Sequence, residues 1–501
     1  MDFLDPKKQK AHNVRLIVGY VLIGIALALT TVILLYKAYG FDFDRQGRVI
    51  QNGLVFMSST PNPAQVYING EKYKNDTNVR ISLASGQYTF ELRKAGYLPW
   101  KRAITVEGGS VRRFDYPFLI PSDLKTSSLR DYATVPRVLT QSPDRRWLLT
   151  QNGDATTRFV VFDLNNPKDA PKDIVLPDNA ATVGDDGSEV KWETVQWSSD
   201  NRHVILKHGY QKGGTAAYEY ILLDRQDPAE SKNLTQAWGI NPTSLQMQDR
   251  SYDKYYLYDA GTKVLSTATL KDPQPKEYAK EVLGFKSYGD NIVVYATTKG
   301  QKSGEAAVMW QDGDKKYTIK TFAADVTANA TFLVDITKYD GDWYVAAGSS
   351  VEGKVYVYRN PLQMLSEDNI TVPVHILKVT GINYIEFSNN ARFIMGENGS
   401  KFSVYDAEYD KGYAFDVKKT LDSPQAHASW MDGHRLLYVS GGKVEITDFD
   451  NANQATLVAD NPAIVPVFDR DYNYMYTITG RDNTTTPFAL DKTALRIPAD
   501  L

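Results

Sequence analysis

Six histidines, His12, His203, His208, His375, His427 and His434, are the residues of this sequence best suited to proton transfer or metal ligation. Neither use finds its spacing. No H-E-x-x-H occurs, and His203 and His208 flank one predicted strand, where they read as ordinary strand-end residues. The chain has no cysteine, which excludes disulfides, thiolate zinc sites and a cysteine nucleophile. No G-x-S-x-G elbow, P-loop or dinucleotide fingerprint is present. Oxygen chemistry is what remains. The densest acidic run is "PDNAATVGDDGSE", with Asp178, Asp185, Asp186 and Glu189, and oxygen-rich loops can bind calcium. It lacks the D-x-[DN]-x-[DN]-G register, so it reads as a solvated acidic insertion. "TDFDNANQ" from Thr447 fails similarly, because Ala452 stands where a ligand is needed. The sequence therefore assigns no catalytic, cofactor-binding or metal residue. Acid–base carboxylates gathered from distant segments are the one chemistry that linear spacing conceals.

The elements that would position any such groups begin with a membrane-sized helix. Residues 16–36, LIVGYVLIGIALALTTVILLY, carry no charge over about 21 positions, enough to cross the hydrocarbon core. A cleaved signal peptide would have a shorter apolar region and a small-residue cleavage site, and "LLYKAYGFD" offers a poor one. Lys7, Lys8, Lys10 and Arg15 precede the span, whereas Lys37 is soon followed by Asp42 and Asp44. The positive-inside rule then predicts a cytoplasmic N-terminus, with the bulk of the chain extracytoplasmic. A formal charge of −3 provides no basic footprint for nucleic acid. With 42% hydrophobic and 23% charged residues the chain is globular, and 501 residues suggest more than one domain. Its 32 tyrosines and 34 glycines lean toward strands and turns.

A small β module follows. In "QYTFELRK" Tyr88, Phe90 and Leu92 share one face, and "KRAITVEGG" alternates in the same way. Gly96 permits the bend between these strands, Pro99 keeps the chain extended, and Asn69-Gly70 signals a hairpin. In "AQVYINGE", "ISLASGQYTFELRKAGY" and "ITVEGG" the segment resembles the PEGA domain, although the Pro-Glu-Gly-Ala string that names that family is not present. The resemblance implies a spacer or binding unit near a membrane or wall and no catalysis.

The long remainder repeats one plan. Strand pairs occur in "RVLTQSPDRRWLLTQ", "ETVQWSSDNRHVILK", "LQMQDRSYDKYYLYD" and "LGFKSYGDNIVVYA". They recur in "VDITKYDGDWYVAA", "YIEFSNNARFIMG", "HASWMDGHRLLYVS" and "VPVFDRDYNYMYTI". A third alternating strand such as "RFVVFDL" or "KFSVYDA" follows each pair, at a repeat of roughly 38 to 57 residues. A lone four-stranded sheet cannot bury both faces, but a ring of twisted sheets buries each against its neighbours. Trp197 and Trp430 occupy equivalent points and are expected to fill the space between sheets. "WSSDNRHVIL" resembles the blades of TolB-type and WD-type β-propellers, which implies architecture and leaves function open.

The expected fold is mainly β: an N-terminal transmembrane helix, a small PEGA-like β-sandwich module and a seven- or eight-bladed β-propeller. The expected order is a cytoplasmic tail (1–15), the helix (16–36), a linker (37–55), the PEGA-like domain (56–121), a connector or ring-closing strand (122–136) and the propeller (137–501). "TALRI", near Leu501, is the candidate fourth strand of the last blade, with the seam near Tyr132 to Leu139. The glycine- and lysine-bearing hairpins "HGYQKGGTAAYEY" and "TTKGQKSGEAAVMW" are loops where ligand contacts could gather. The functional expectation is a single-pass, membrane-anchored protein that binds or scaffolds partner proteins or cell-wall polymer through propeller loops, without a cofactor. The alternative is an extracytoplasmic hydrolase using carboxylates carried on the blades.

Overall fold

The computed structural model describes residues 6–38, 40–43, 47, 49–151, 157–185, 187–418, 420–422, 427–461, 464–482 and 485–500. The chain divides into two compact units, residues 1–123 and 124–499.

The first unit opens with the helix Pro6–Ala38, of which Lys10–Ala38 is long and apolar enough to cross a membrane and is not buried within the protein. Thr30 and Thr31 return their hydroxyls to the carbonyls of Ala26 and Leu27 at 2.8 Å each, so neither polar group needs an outside partner. After the helix come two four-stranded sheets. One joins Phe41–Phe43, Val49–Met57 and Val79–Ala84, with Val111–Phe114 pairing parallel to Val49–Met57. The other orders Glu71–Lys72, Gln65–Ile68, Gly86–Arg93 and Trp100–Val106. Val55, Val66, Ile81, Phe90, Leu92 and Val106 are fully buried. Asn69 (φ 51°) and Gly70 (φ 86°) form the hairpin turn, and Gly96 (φ 82°) makes the bend before Trp100.

The segment expected as a linker, 37–55, is corrected here: it contributes the strands Phe41–Phe43 and most of Val49–Met57. The polar "QNG" within it resembles a turn, yet a side chain on Gly53 would stand 2.4 Å from Val106 Cγ1. The glycine admits a close approach between strands, which local sequence alone does not reveal.

In the second unit, the described residues form eight four-stranded antiparallel sheets. Their first strands are Leu139–Gln141, Lys191–Trp197, Ser244–Met247, Val282–Tyr288, Phe332–Tyr339, Tyr384–Phe387, Ser429–Trp430 and Val467–Phe468. Lys191–Trp197 approaches Ser244–Met247, Phe332–Tyr339 approaches both Val282–Tyr288 and Tyr384–Phe387, and Leu139–Gln141 approaches Val467–Phe468, which makes the first strands the inner strands of a ring, numbered here as blades one to eight. The apolar clusters lie between sheets. Leu149 and Phe159 of blade one pack with Trp192 and Val204 of blade two, and Tyr256 and Leu265 of blade three with Val282 and Val293 of blade four. Tyr344 and Ala346 of blade five meet Ile385 and Ile394 of blade six in the same manner. Each sheet thus uses both faces, as a β-propeller requires.

The seam differs from expectation in one element. "TALRI" is not the fourth strand of blade eight. That place is taken by Lys125–Tyr132, which pairs antiparallel with Phe488–Ala494 from Ala494↔Lys125 to Phe488↔Tyr132. Leu495 is buried just beyond the strand, its N–H donating to the Asn473 carbonyl at 2.8 Å. Tyr132 and Leu139 join Leu148, Ile478 and Leu490 in one apolar cluster, and the Tyr132 hydroxyl is 2.7 Å from that of Thr150. Closure therefore tethers the start of the ring to its end through both backbone and core. Leu490→Ala is expected to cost about 2–5 kcal/mol by leaving a cavity at the seam. Deletion of 487–501 removes the strand on which Lys125–Tyr132 docks and is expected to abolish the cooperative melt. A truncated chain that stays monomeric and melts at the parent temperature would show that the seam does not hold the ring.

Candidate functional site

The first two strands of several blades are joined by a turn whose chemistry repeats. In blade one the Ser142 hydroxyl donates to the Asp144 carboxylate and accepts from Trp147 N–H at 3.0 Å, while Asp144 accepts from Arg146 N–H at 3.1 Å. In blade six Ser388, Asn390, Arg392 and Phe393 reproduce these three bonds. The arginine after each turn reaches across its own sheet to an aspartate: Arg146 to Asp163, Arg202 to Asp224 and Arg392 to Asp406, each through two nitrogens. The Arg146 hydrogen bond holds the Asp163 carboxyl below its ordinary range. The Ser-x-Asp pattern is thus spent on blade geometry.

The histidines are distributed rather than gathered. His203 and His208 lie five positions apart on the strand His203–Lys212 and so occupy opposite faces. His203 Nδ1 is 2.5 Å from Asp200, with its ring stacked on Tyr252. His208 Nδ1 is 2.9 Å from Glu219 Oε1, with its ring stacked on Trp192. Burial would raise the Glu219 carboxyl, but hydrogen bonds from His208, Thr182 and Asn233 outweigh it and hold the group near 2. His427 pairs with Glu397 at 2.7 Å beneath the Tyr384 ring. Burial lowers the His375 pKa, its ring stacking on Tyr405 and fitting where any side chain on Gly412 would collide. His434 lies edge-on to Phe393, and His12 is exposed on the helix Pro6–Ala38. Among the described residues no three His, Asp or Glu side chains are grouped to hold a metal ion.

The acidic insertion is tied down by its neighbours. Asp185 accepts from Gly214 N–H at 2.9 Å and Gly213 N–H at 3.1 Å, which hold its carboxyl below the ordinary range. Those glycines form the tip of the long hairpin His203–Lys212 and Thr215–Asp224, so insertion and hairpin lock each other. Glu189 pairs with Arg137 at 3.0 Å, Asp178 is exposed, and Asp186 lies outside the described residues. In "TDFDNANQ" the turn closes on itself through Thr447 to the Ala452 carbonyl and Asn453 to Asp448. Hairpin 297–310 turns through Gly300 and Gly304, both at positive φ.

Sequence reasoning missed the feature nearest the ring's axis. An inner strand has backbone N–H groups with no strand beyond it to accept them, and side chains of the adjacent blade take that place. Gln196 Oε1 accepts from Met247 N–H at 2.7 Å, and Gln246 Oε1 from Ser287 N–H at 3.1 Å. Asp335 Oδ2 accepts from Phe387 N–H at 3.2 Å, and Glu386 accepts from the backbone of Trp430. Each link runs from one blade to the next. Lys286 occupies this position in blade four and cannot accept, so Asp335 also takes Ile336 N–H at 2.8 Å and pairs with Lys286 at 3.8 Å. Val467 occupies it in blade eight and cannot accept either. There Gln141 of blade one reaches back to Phe468 N–H at 3.2 Å. Trp197 and Trp430 reinforce the same layer through their indole N–H groups, bonded to Thr140 Oγ1 at 3.0 Å and the Glu386 carbonyl at 3.2 Å.

At one mouth of the ring this layer opens into a cavity of about 380 Å³ lined from blades one, two, three, six, seven and eight. Its polar lining includes Gln141, Arg145, Gln196, Arg250 and Asn389, and its apolar wall includes Trp430, Met431, Val467 and Phe468. Arg250 (φ 54°) is fixed by its carbonyl, which accepts from Ser199 N–H and Ser198 Oγ at 2.9 Å each. Arg145 stacks on Tyr472 at 4.3 Å and donates to the Met431 carbonyl at 3.2 Å. Elsewhere in the layer Lys286, Asp335 and Glu386 stand on successive inner strands. Burial and then the Asp335 charge push the Glu386 carboxyl up to about 7, against Lys286 and His427. Its Oε2 is buried and meets no partner among the described residues.

With this geometry in place, residues 52–119 match the PEGA domain. No curated protein sequence matches the chain. Among solved structures, the chain is similar to an oligogalacturonate lyase from Vibrio parahaemolyticus, with 9% identity, 75% of this chain and 99% of that one covered and a TM-score of 0.39. It is similar also to Hsv2p of Kluyveromyces lactis, with 11% identity, coverage of 72% and 99% and a TM-score of 0.35.

Glu386 supplies a test of this electrostatic layout. A carboxyl raised in the folded state contributes stability that is fully present below its ordinary value near 4.5 and lost as pH rises through about 7. Glu386→Gln keeps an acceptor for Trp430 N–H and carries no charge. The variant is expected to melt like the parent at pH 4 and to exceed it above pH 7, by on the order of 2 kcal/mol. Parallel melting curves from pH 4 to pH 8.5 would place Glu386 in an ordinary solvated environment.

Proposed function

We propose that this chain is a membrane-anchored, extracytoplasmic binding or scaffold protein that engages partner proteins or wall polymer at the mouth of its ring. The helix containing Lys10–Ala38 is the anchor. The cations preceding residue 16 favour a cytoplasmic N-terminus, with the PEGA domain and ring outside. The observation that carries the reading is the mouth cavity, whose lining comes from six blades and whose turn residues Arg145 and Arg250 are fixed by local bonds. A rigid ring presenting preorganised loop residues loses little entropy on binding.

A second reading, an extracytoplasmic hydrolase, is favoured by one observation. A carboxyl raised to about 7 beside a second carboxylate is the pairing that general acid–base hydrolysis uses. Both Asp335 oxygens are engaged by backbone N–H groups, which is why binding stands first. Turnover of a glycoside or ester that vanishes in Glu386→Gln would promote the hydrolase.

The binding reading is tested in intact cells by photocrosslinking from the exposed Val465 at the cavity, followed by mass spectrometry of captured material. Recurrent capture of the same protein or polymer is the expected result, together with digestion of residues beyond 36 by protease added outside. Protection of the ring until the cells are lysed would reverse the orientation.

A further inference from the structure

The mouth cavity, taken as the binding site proposed above, has a lining that selects for charge. Gln141 and Gln196 each commit Oε1 to a backbone N–H of a neighbouring blade, at 3.2 and 2.7 Å. That fixes the amide orientation. Among the described residues no acceptor meets either Nε2, so both amides offer donors at the cavity. The Arg250 guanidinium likewise has no partner among the described residues, although its backbone is fixed by Ser198 and Ser199. Arg145 adds a second guanidinium, already steadied by Tyr472. Among the described residues no aspartate or glutamate lines the cavity.

A wall of amide and guanidinium donors without a carboxylate fits a ligand that only accepts, and a carboxylate is the simplest. The opposite wall decides what carries it. Met431, Val467 and Phe468 present apolar surface, which suits an aliphatic side chain more than the hydroxyls of a sugar. The tryptophans are no stacking platform for a sugar ring: Trp197 and Trp430 are 7% and 6% exposed and their indole nitrogens are bonded to adjacent blades. We propose that the mouth cavity binds an acidic peptide segment, whose carboxylate receives Arg250 and the amides of Gln141 and Gln196 while an adjoining apolar side chain rests on Met431 and Phe468.

The test uses the purified full chain carrying p-benzoylphenylalanine in place of Val465. Three fluorescent probes are compared: the peptide Leu-Asp-Leu-Glu-Leu, its Asn/Gln counterpart, and a polygalacturonate oligosaccharide. The acidic peptide is expected to bind and crosslink, and the amide peptide to bind about tenfold more weakly or less, as for loss of one charge-assisted hydrogen bond. Arg250→Gln is expected to weaken the acidic peptide about tenfold with the melting temperature unchanged. Gln196→Glu, whose carboxylate can still accept from Met247 N–H but cannot donate, is expected to do the same. Equal binding of both peptides, or an Arg250→Gln variant that binds like the parent, would overturn charge selection while leaving the mouth as a binding site. Preference for the oligosaccharide would overturn the peptide with the same reservation. Failure of every probe overturns this proposal alone, and the binding reading falls only if in-cell crosslinking from residue 465 is also empty.

Discussion

The backbone N–H on the axial edge of each inner strand is the constraint around which the ring is arranged. A propeller buries sheet faces well, but its innermost strands remain edges. An unpaired N–H there costs about 1–3 kcal/mol where water cannot serve it. The protein meets the cost with side chains from the adjacent blade: Gln196, Gln246, Asp335 and Glu386 each accept from the next inner strand. These bonds do more than satisfy donors. Apolar packing between blades is tolerant of sliding, whereas a hydrogen bond between one side chain and one N–H fixes the register between sheets. Where the pattern meets a residue that cannot accept, a neighbour compensates. Asp335 serves two N–H groups beside Lys286, and Gln141 reverses direction at Val467.

Much of the architecture is written locally. All eight strand pairs visible as apolar runs around polar turns coincide with the first two strands of the eight sheets, because period-two alternation and Ser-x-Asp turns are short-range signals. The PEGA strands are legible for the same reason. Failures occur where distance along the chain is large. The partner of Phe488–Ala494 is more than 350 residues earlier, at Lys125–Tyr132; the ring-closing alternative for 122–136 is the one realised, but the polar "KTSSLRDY" cannot choose it over a connector, and local reading assigns "TALRI" the place instead. Gly53 reads as a turn residue until Val106 is brought over it.

The cavity was the least legible part. Gln141, Gln196 and Gln246 look like unremarkable polar residues at strand ends, and their significance is a relation among blades. One signal was available in principle: a residue able to accept a hydrogen bond stands at the same point of several repeats, just before the last residue of the inner strand. The histidines and acidic loop drew attention by residue type, yet their groups are consumed locally, as Asp185 is by Gly213 and Gly214. Residue types that can do chemistry are informative only when the fold leaves them unspent.

The choice of acceptor around the axis has a consequence for the character of the channel. A glutamine that accepts through its oxygen retains an NH₂ group, so blades one to three face the axis with donors as a by-product of holding the ring together. A carboxylate that makes the same link retains no donor and brings charge, so blades five and six face it with acid groups, balanced by Lys286 of blade four. Structural duty and surface chemistry are therefore coupled at each position. Exchanging glutamine for glutamate keeps the inter-blade acceptor while reversing what the channel offers a ligand. The two proposed chemistries, binding at the donor side and acid–base work at the carboxylate side, arise from one solution to the edge of the inner strand. The mouth cavity opens among Gln141, Gln196 and Arg250, while both Asp335 oxygens are turned to the backbone. That geometry is the physical reason for giving binding precedence over hydrolysis.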